Sequence, residues 1–183
     1  MKNVVIFASG SGSNAENLYH LHHNKHYLIS AIYCNNENAG VIERASRLGI
    51  PLKLFNRNEW NRVIDEIKEL NPKLIVLAGF LWKIPSDFVA NFKTIINIHP
   101  SLLPKYGGKG MYGMNVHKAV IENHEQKSGI TIHLVNEHYD EGEVLFQYAI
   151  DIEKNETPDS LAQKIHKLEY QYFPEIILKE IEK

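Results

Sequence analysis

Short apolar runs alternate with stretches of helical spacing along most of this 183-residue chain, and few architectures accept that pattern. Val4 to Ala8 is continuously apolar and stops at small residues, as a strand buried on both faces does. A helical spacing around Leu18 and Leu21 follows, and Leu28 to Cys34 is again apolar and β-branched. That is a β-α-β unit. The alternation continues with helices over Gly40 to Leu48 and Glu59 to Leu70 and strands at Leu52 to Phe55 and Leu74 to Ala78. A short helix from Pro85 to Phe92 leads to a strand over Thr94 to Ile98. A helix over Asn115 to Glu122, strands at Ile130 to Val135 and Val144 to Ile150, and a helix from Thr157 to Ile181 complete the pattern, with Thr157 and Asp159 both able to serve its amino end. The expected fold is α/β: a doubly wound, mostly parallel open sheet of about seven strands with helices on both faces. Residues 1–183 are expected to form one domain.

Composition narrows the function classes. Hydrophobic residues are 44% and charged residues 23%, which fits a soluble globular chain and excludes coiled coil, collagen-like repeat and disorder. Twenty basic against 22 acidic residues leave a net charge of -2, so no global positive field points to nucleic acid or an anionic membrane. The lone Cys34 cannot form an internal disulfide and reads as inert core in a reducing compartment. With no apolar stretch long enough to span a membrane and no signal-peptide pattern at the start, a cytoplasmic location is expected.

Open α/β sheets bind ligands at the carboxyl ends of their strands, so the strand-end turns carry the search. The first reads Gly10-Ser11-Gly12-Ser13-Asn14-Ala15, where glycines permit a tight turn and the helix amino end offers free N–H groups to a phosphate. It also fits the G-x-G-x-x-A dinucleotide fingerprint, which wants an acidic residue at the end of the second strand. The chain reads Cys34-Asn35-Asn36 there. A phosphate monoester is therefore favoured, with a dinucleotide and an ordinary capped turn as the alternatives. Lys109 follows two glycines, but no Ser or Thr follows it, so no Walker loop is present.

Asn97-Ile98-His99-Pro100-Ser101-Leu102-Leu103-Pro104 stands at the tip of the fifth strand. Two residues apart on extended backbone, Asn97 and His99 leave the same face and can together stabilise an oxyanion, which suits acyl transfer. Asp140, in Tyr139-Asp140-Glu141-Gly142, sits on a turn that could reach the same edge; a carboxylate there is expected to raise the His99 pKa and favour imidazolium. No covalent nucleophile is apparent, since Ser101 lacks an elbow motif. His99 to Gly113, with four glycines and two prolines, reads as a long site loop. The cluster His20, His22, His23 and His26 places His22 and His26 at helical spacing but lacks carboxylate or cysteine company, so a solvated face is preferred over a metal site. Trp60 and Trp82 read as core or pocket wall.

Together with Leu77-Ala78-Gly79-Phe80 and Gly129-Ile130-Thr131-Ile132-His133, these motifs resemble the phosphoribosylglycinamide formyltransferase family of the formyltransferase superfamily, over essentially the whole chain. The resemblance implies formyl transfer from 10-formyltetrahydrofolate to the amino group of glycinamide ribonucleotide, in purine synthesis, without a metal. It implies catalytic roles for Asn97, His99 and Asp140, phosphate contacts at Gly12, Ser13, Asn14 and Ala15, and further acceptor contacts at Arg57, His166, Lys167, Leu168 and Glu169. Folate contacts are implied at Leu81, Trp82, Lys83 and Ile84, at Asn97, and at Asn136, Glu137, His138, Tyr139 and Asp140. Relatives acting on initiator tRNA or hydrolysing formylfolate add further domains, for which this chain is expected to have no room. Its partners are expected to be the two small-molecule substrates, with no nucleic acid and no membrane, in a monomer or homodimer. Lys83 stands where the family commonly has arginine.

Overall fold

A computed structural model describes residues 1–183. The seven strands are β1 (Lys2–Ala8), β2 (Tyr27–Cys34), β3 (Leu52–Leu54), β4 (Leu74–Leu77), β5 (Ile95–His99), β6 (Lys127–Leu134) and β7 (Val144–Asp151). Six helices accompany them: α1 (Ser13–His22), α2 (Val41–Leu48), α3 (Trp60–Leu70), α4 (Ser86–Asn91), α5 (Met114–Glu122) and α6 (Pro158–Glu182). The strand order is β3-β2-β1-β4-β5-β6-β7. Strands β1 to β5 pair in parallel, and β6 and β7 join antiparallel.

The two-residue period of a strand builds a core on each side of this sheet. Val4, Ile6 and Ala8 of β1 face one way, into a core shared with Leu18 of α1, Val116 of α5 and Phe173 and Ile177 of α6. Val5 and Phe7 face the other, against Val63 and Ile67 of α3 and Phe88 of α4. Phe7 is ringed there by Tyr33, Phe55, Trp60, Phe80 and Phe88 at centroid distances of 5.2–6.1 Å. Its burial removes apolar surface worth about 1.5–3 kcal/mol. Cys34 ends β2 as a buried free thiol whose pKa burial raises.

Most expected boundaries fall within one or two residues of the observed ones. The exception is β6, which starts at Lys127 rather than Ile130 because it is paired with β7 as far as Lys127 opposite Asp151. At α6, Thr157 alone is the cap: its Oγ1 accepts from the Ser160 N–H at 3.1 Å, and Ser160 Oγ accepts from the Thr157 N–H at 3.0 Å. Asp159 lies within the first turn, where its charge suits the helix dipole. The histidine cluster does not share one helix face. His20 and His22 belong to α1, His23 ends it, and His26 lies in the following turn. His23 is structural, stacking on Tyr19 at 4.5 Å and accepting the Ile29 N–H.

Connections leave β1 in opposite directions across the sheet, to β2 on one side and eventually β4 on the other, so the order reverses between β1 and β4. A crevice opens at the carboxyl ends of strands at such a reversal.

Candidate active site

The crevice is a cavity of about 770 Å³. Its walls come from the turn after β1 (Gly10–Asn14), the segment after β4 (Leu77–Ile84), the tip of β5, the loop Gly108–Gly113, the end of β6, the turn holding Asp140, and α6.

The turn after β1 is shaped by Gly12. Its φ is +76°, and a Cβ there would stand 2.5 Å from Val41 Cγ2 of α2, so both conformation and space demand glycine. Next in sequence, α1 begins at Ser13, and the first N–H groups of a helix have no partner within it. Asn14 Nδ2 donates to Glu169 Oε2 at 3.0 Å, and His166 Nδ1 donates to the same oxygen at 3.1 Å. These bonds tie the turn to α6, and that hydrogen bond to Glu169 raises the His166 pKa. At the end of β2, Asn36 Nδ2 donates to the Ser9 carbonyl at 3.2 Å and its Oδ1 accepts the Asn38 N–H at 3.0 Å. Asn35 and Asn36 do not line the cavity, which leaves the dinucleotide alternative without its ribose contact.

At the β5 tip, Asn97, Ile98 and His99 line the cavity, and Ile96 and Ile98 also pack into the core shared with α6. Antiparallel pairing sets His133 of β6 directly opposite Asn97 and Thr131 opposite His99. Asn97 Nδ2 donates to His133 Nε2 at 3.1 Å, since His133 Nδ1 already donates to the Leu134 carbonyl at 2.8 Å. Asp140, at φ +55°, turns its carboxylate into this group. Oδ2 accepts the Gly108 N–H at 2.8 Å and lies 3.7 Å from His99 Nδ1; Oδ1 lies 3.5 Å from Asn97 Nδ2 and 3.6 Å from His133 Nε2. The turn sits this close because Gly142 carries no side chain: a Cβ there would stand 1.7 Å from the Leu134 carbonyl oxygen. Burial alone would raise the Asp140 pKa, but His133, His99 and the Gly108 N–H hold it below the ordinary carboxylate value.

His99 departs from expectation. Its pKa lies below the ordinary histidine value, because burial outweighs the opposing pull of Asp140 and of the Tyr106 carbonyl. That carbonyl accepts from His99 Nε2 at 2.7 Å, so the ring gains or loses its second proton at Nδ1, the nitrogen facing Asp140. The carboxylate therefore offsets the cost of charging a buried ring without reversing it.

The cavity gathers Gly12, Ser13, Asn14, Arg57, Leu81, Trp82, Lys83, Ile84, Asn97, Asn136, His138, Tyr139, Asp140, His99, His166 and Glu169. Arg57 lies over the Trp82 ring with Cζ 5.0 Å from the centroid. Four expected residues lie outside. Ala15 is buried in the core beneath α1, Leu168 packs against that core, and Glu137 and Lys167 face solvent. Conversely, His117 of α5 and His133 line the cavity with no role read from sequence. The only signal for His133 was its even spacing from Thr131 along β6, and the β5–β6 register that gives the spacing meaning is a tertiary fact. Ser101 turns away from the chemistry, its hydroxyl donating to the Lys105 carbonyl at 2.7 Å.

Residues 2–177 match the formyl transferase family profile. A phosphoribosylglycinamide formyltransferase of Bacillus subtilis (strain 168) is 34% identical over 187 residues, covering 97% of this chain and 93% of that protein. The chloroplastic phosphoribosylglycinamide formyltransferase of Arabidopsis thaliana is 35% identical over 96% of this chain. The chain spans 64% of the length of that plant relative and 60% of a second, from Vigna unguiculata. Among solved structures, glycinamide ribonucleotide transformylase 1 from Geobacillus kaustophilus superposes with a TM-score of 0.90 at 28% identity, covering 99% of both chains. With sequence and fold agreeing along nearly all of its length, the chain belongs to the formyl transferase family.

Proposed function

We propose that the chain transfers the formyl group of 10-formyltetrahydrofolate to the amino group of glycinamide ribonucleotide, as a step of purine synthesis. One observation carries the reading: the turn built to receive an anion and the Asn97, His99 and Asp140 group open into the same cavity. The free N–H groups at the start of α1 receive the acceptor's phosphate, and His166, its pKa raised by the hydrogen bond to Glu169, stands at that end. At the other end, Arg57, expected from the family resemblance among the acceptor contacts, instead stacks on Trp82 and with the Leu81–Ile84 segment forms the wall offered to the folate, with Asn136, His138 and Tyr139 opposite. These residues suit a flat ring with an anionic tail.

Attack of the acceptor amine on the formyl carbon forms one C–N bond and leaves a tetrahedral centre with negative oxygen. Asn97 and His99 supply donors to that oxygen. The proton lost by the attacking nitrogen passes through an ordered water to His99 Nδ1, because the developing anion adds to the pull Asp140 already exerts and offsets the burial that keeps the free ring uncharged. Asp140, held ionised by its neighbours, stays the counter-charge to that imidazolium, and the same proton returns from Nδ1 to the folate nitrogen as the second C–N bond breaks. Holding both substrates in one cavity supplies much of the rate. We place this activity in a cytoplasmic protein, a single formyltransferase domain acting as monomer or homodimer. The test mixes both substrates and follows folate release against formate. Formylated acceptor equal to released folate, with no formate, is expected; formate without formylated acceptor, or no turnover, overturns the proposal.

A further inference from the structure

α5 begins immediately after the glycine-rich loop and turns one histidine inward. His117 is 2% exposed and lines the cavity. The charged or titratable groups around it are His166 and Glu169 of α6 and His99 at the β5 tip. Glu169 is hydrogen-bonded to Asn14 of the anion turn, so His117 stands between that turn and the group around His99. Its Nδ1 is shielded from solvent and has no hydrogen-bond partner, whereas Glu169 beside it has two. Folded proteins rarely leave a buried nitrogen unmatched, and each exception calls for an explanation.

Burial, with His166 adding to it, holds the His117 pKa down to about 4, so near neutral pH the ring is an uncharged imidazole with one donor and one acceptor. A phosphate or carboxylate, which only accepts, would leave the ring's own acceptor nitrogen unused. A hydroxyl, which also donates and accepts, matches an uncharged ring. An acceptor with its phosphate on the α1 turn and its amine near His99 carries its pentose between the two.

We infer that His117 is a specificity-determining residue that hydrogen-bonds a pentose hydroxyl of the sugar phosphate seated on the α1 turn. The inference rests on the acceptor proposed above, but its test needs no formyl transfer. Ribose 5-phosphate, its 2-deoxy and 3-deoxy forms, and inorganic phosphate are titrated calorimetrically into the wild-type chain, His117→Leu and His117→Asn. The wild type is expected to prefer ribose 5-phosphate over at least one deoxy form by roughly tenfold, a difference of about 1.4 kcal/mol. His117→Leu should lose that preference while binding inorganic phosphate unchanged, and His117→Asn, which keeps a donor and an acceptor, should recover part of it. A preference that survives in His117→Leu, a parallel loss for all ligands in both variants, or no preference in the wild type overturns the inference. Should either variant fail to fold, the wild-type ring ¹⁵N resonances decide: they must move with ribose 5-phosphate and not with inorganic phosphate. Formyl transfer combined with a surviving preference would sink only the role of His117. The expected preference without formyl transfer would sink only the proposed reaction.

Discussion

Around β1, the residues proposed to receive the anion are consecutive: Gly10 to Asn14 follow one strand and open one helix. Around β5 and β6 nothing is consecutive. Asn97 and His99 come from a strand tip, His133 from an antiparallel neighbour, Asp140 from a left-handed turn, and the Gly108 N–H from a loop. The first region uses main-chain groups, which local conformation positions. The second uses side chains, which only packing positions. Anion binding can therefore be local, while charge stabilisation at a reacting carbonyl needs donors from several directions in a site poor in water.

The comparison breaks most visibly at Gly12. An alanine there meets Val41 and must hold a positive φ, which should cost about 2–5 kcal/mol of stability and weaken phosphate binding, read by thermal unfolding and calorimetry. The opposite pattern is expected at Asn97. Asn97→Ala should lower kcat on the order of 100-fold or more while changing stability by no more than about 1–2 kcal/mol, from the donor removed from His133. Equal turnover in that variant would remove Asn97 from the mechanism.

Between the two regions, His117 sharpens the contrast through pH. Its folded pKa lies near 4 against an ordinary 6.5, so its contribution is intact above pH 6.5 and is lost as pH falls toward 4, where the unfolded chain binds a proton that the folded chain refuses. The loss amounts to at most about 3 kcal/mol. Urea unfolding at pH 7 and pH 4.5 should show His117→Leu losing less stability than the wild type over that interval. The smallest effect is expected at Arg57, where replacement by alanine removes a cation–π contact of about 0.5–1 kcal/mol; the KM for the folate should rise by a few-fold with kcat nearly unchanged.

The sheet was readable because its evidence is periodic. Val4, Ile6 and Ala8 against Val5 and Phe7 announce two cores, and the helix spacings between strands announce what covers them. The tight turn before α1 was readable because glycine at a strand-to-helix junction permits the left-handed backbone that Gly12 adopts. The β5 tip was readable as a pair, since Asn97 and His99 share a face by spacing alone. The protonation of His99 was not: a neighbouring carboxylate suggests a raised pKa, but the depth of burial that outweighs it comes from tertiary packing. Nor was the exclusion of Lys167 and Leu168, which flank Glu169 in sequence but point elsewhere on α6 because a helix turns about 100° per residue.

The sequence by itself determined the succession of strands and helices, which is what makes a doubly wound sheet, and the glycine-rich turn before α1, because periodicity and composition are read within a few positions of one another. Tertiary structure alone decided that His133 faces Asn97, that Asp140 reaches His99, and that His117 is buried without a partner in the same cavity. Those contacts join residues 32 or more positions apart, or depend on what buries a side chain, and no local preference of the backbone encodes either.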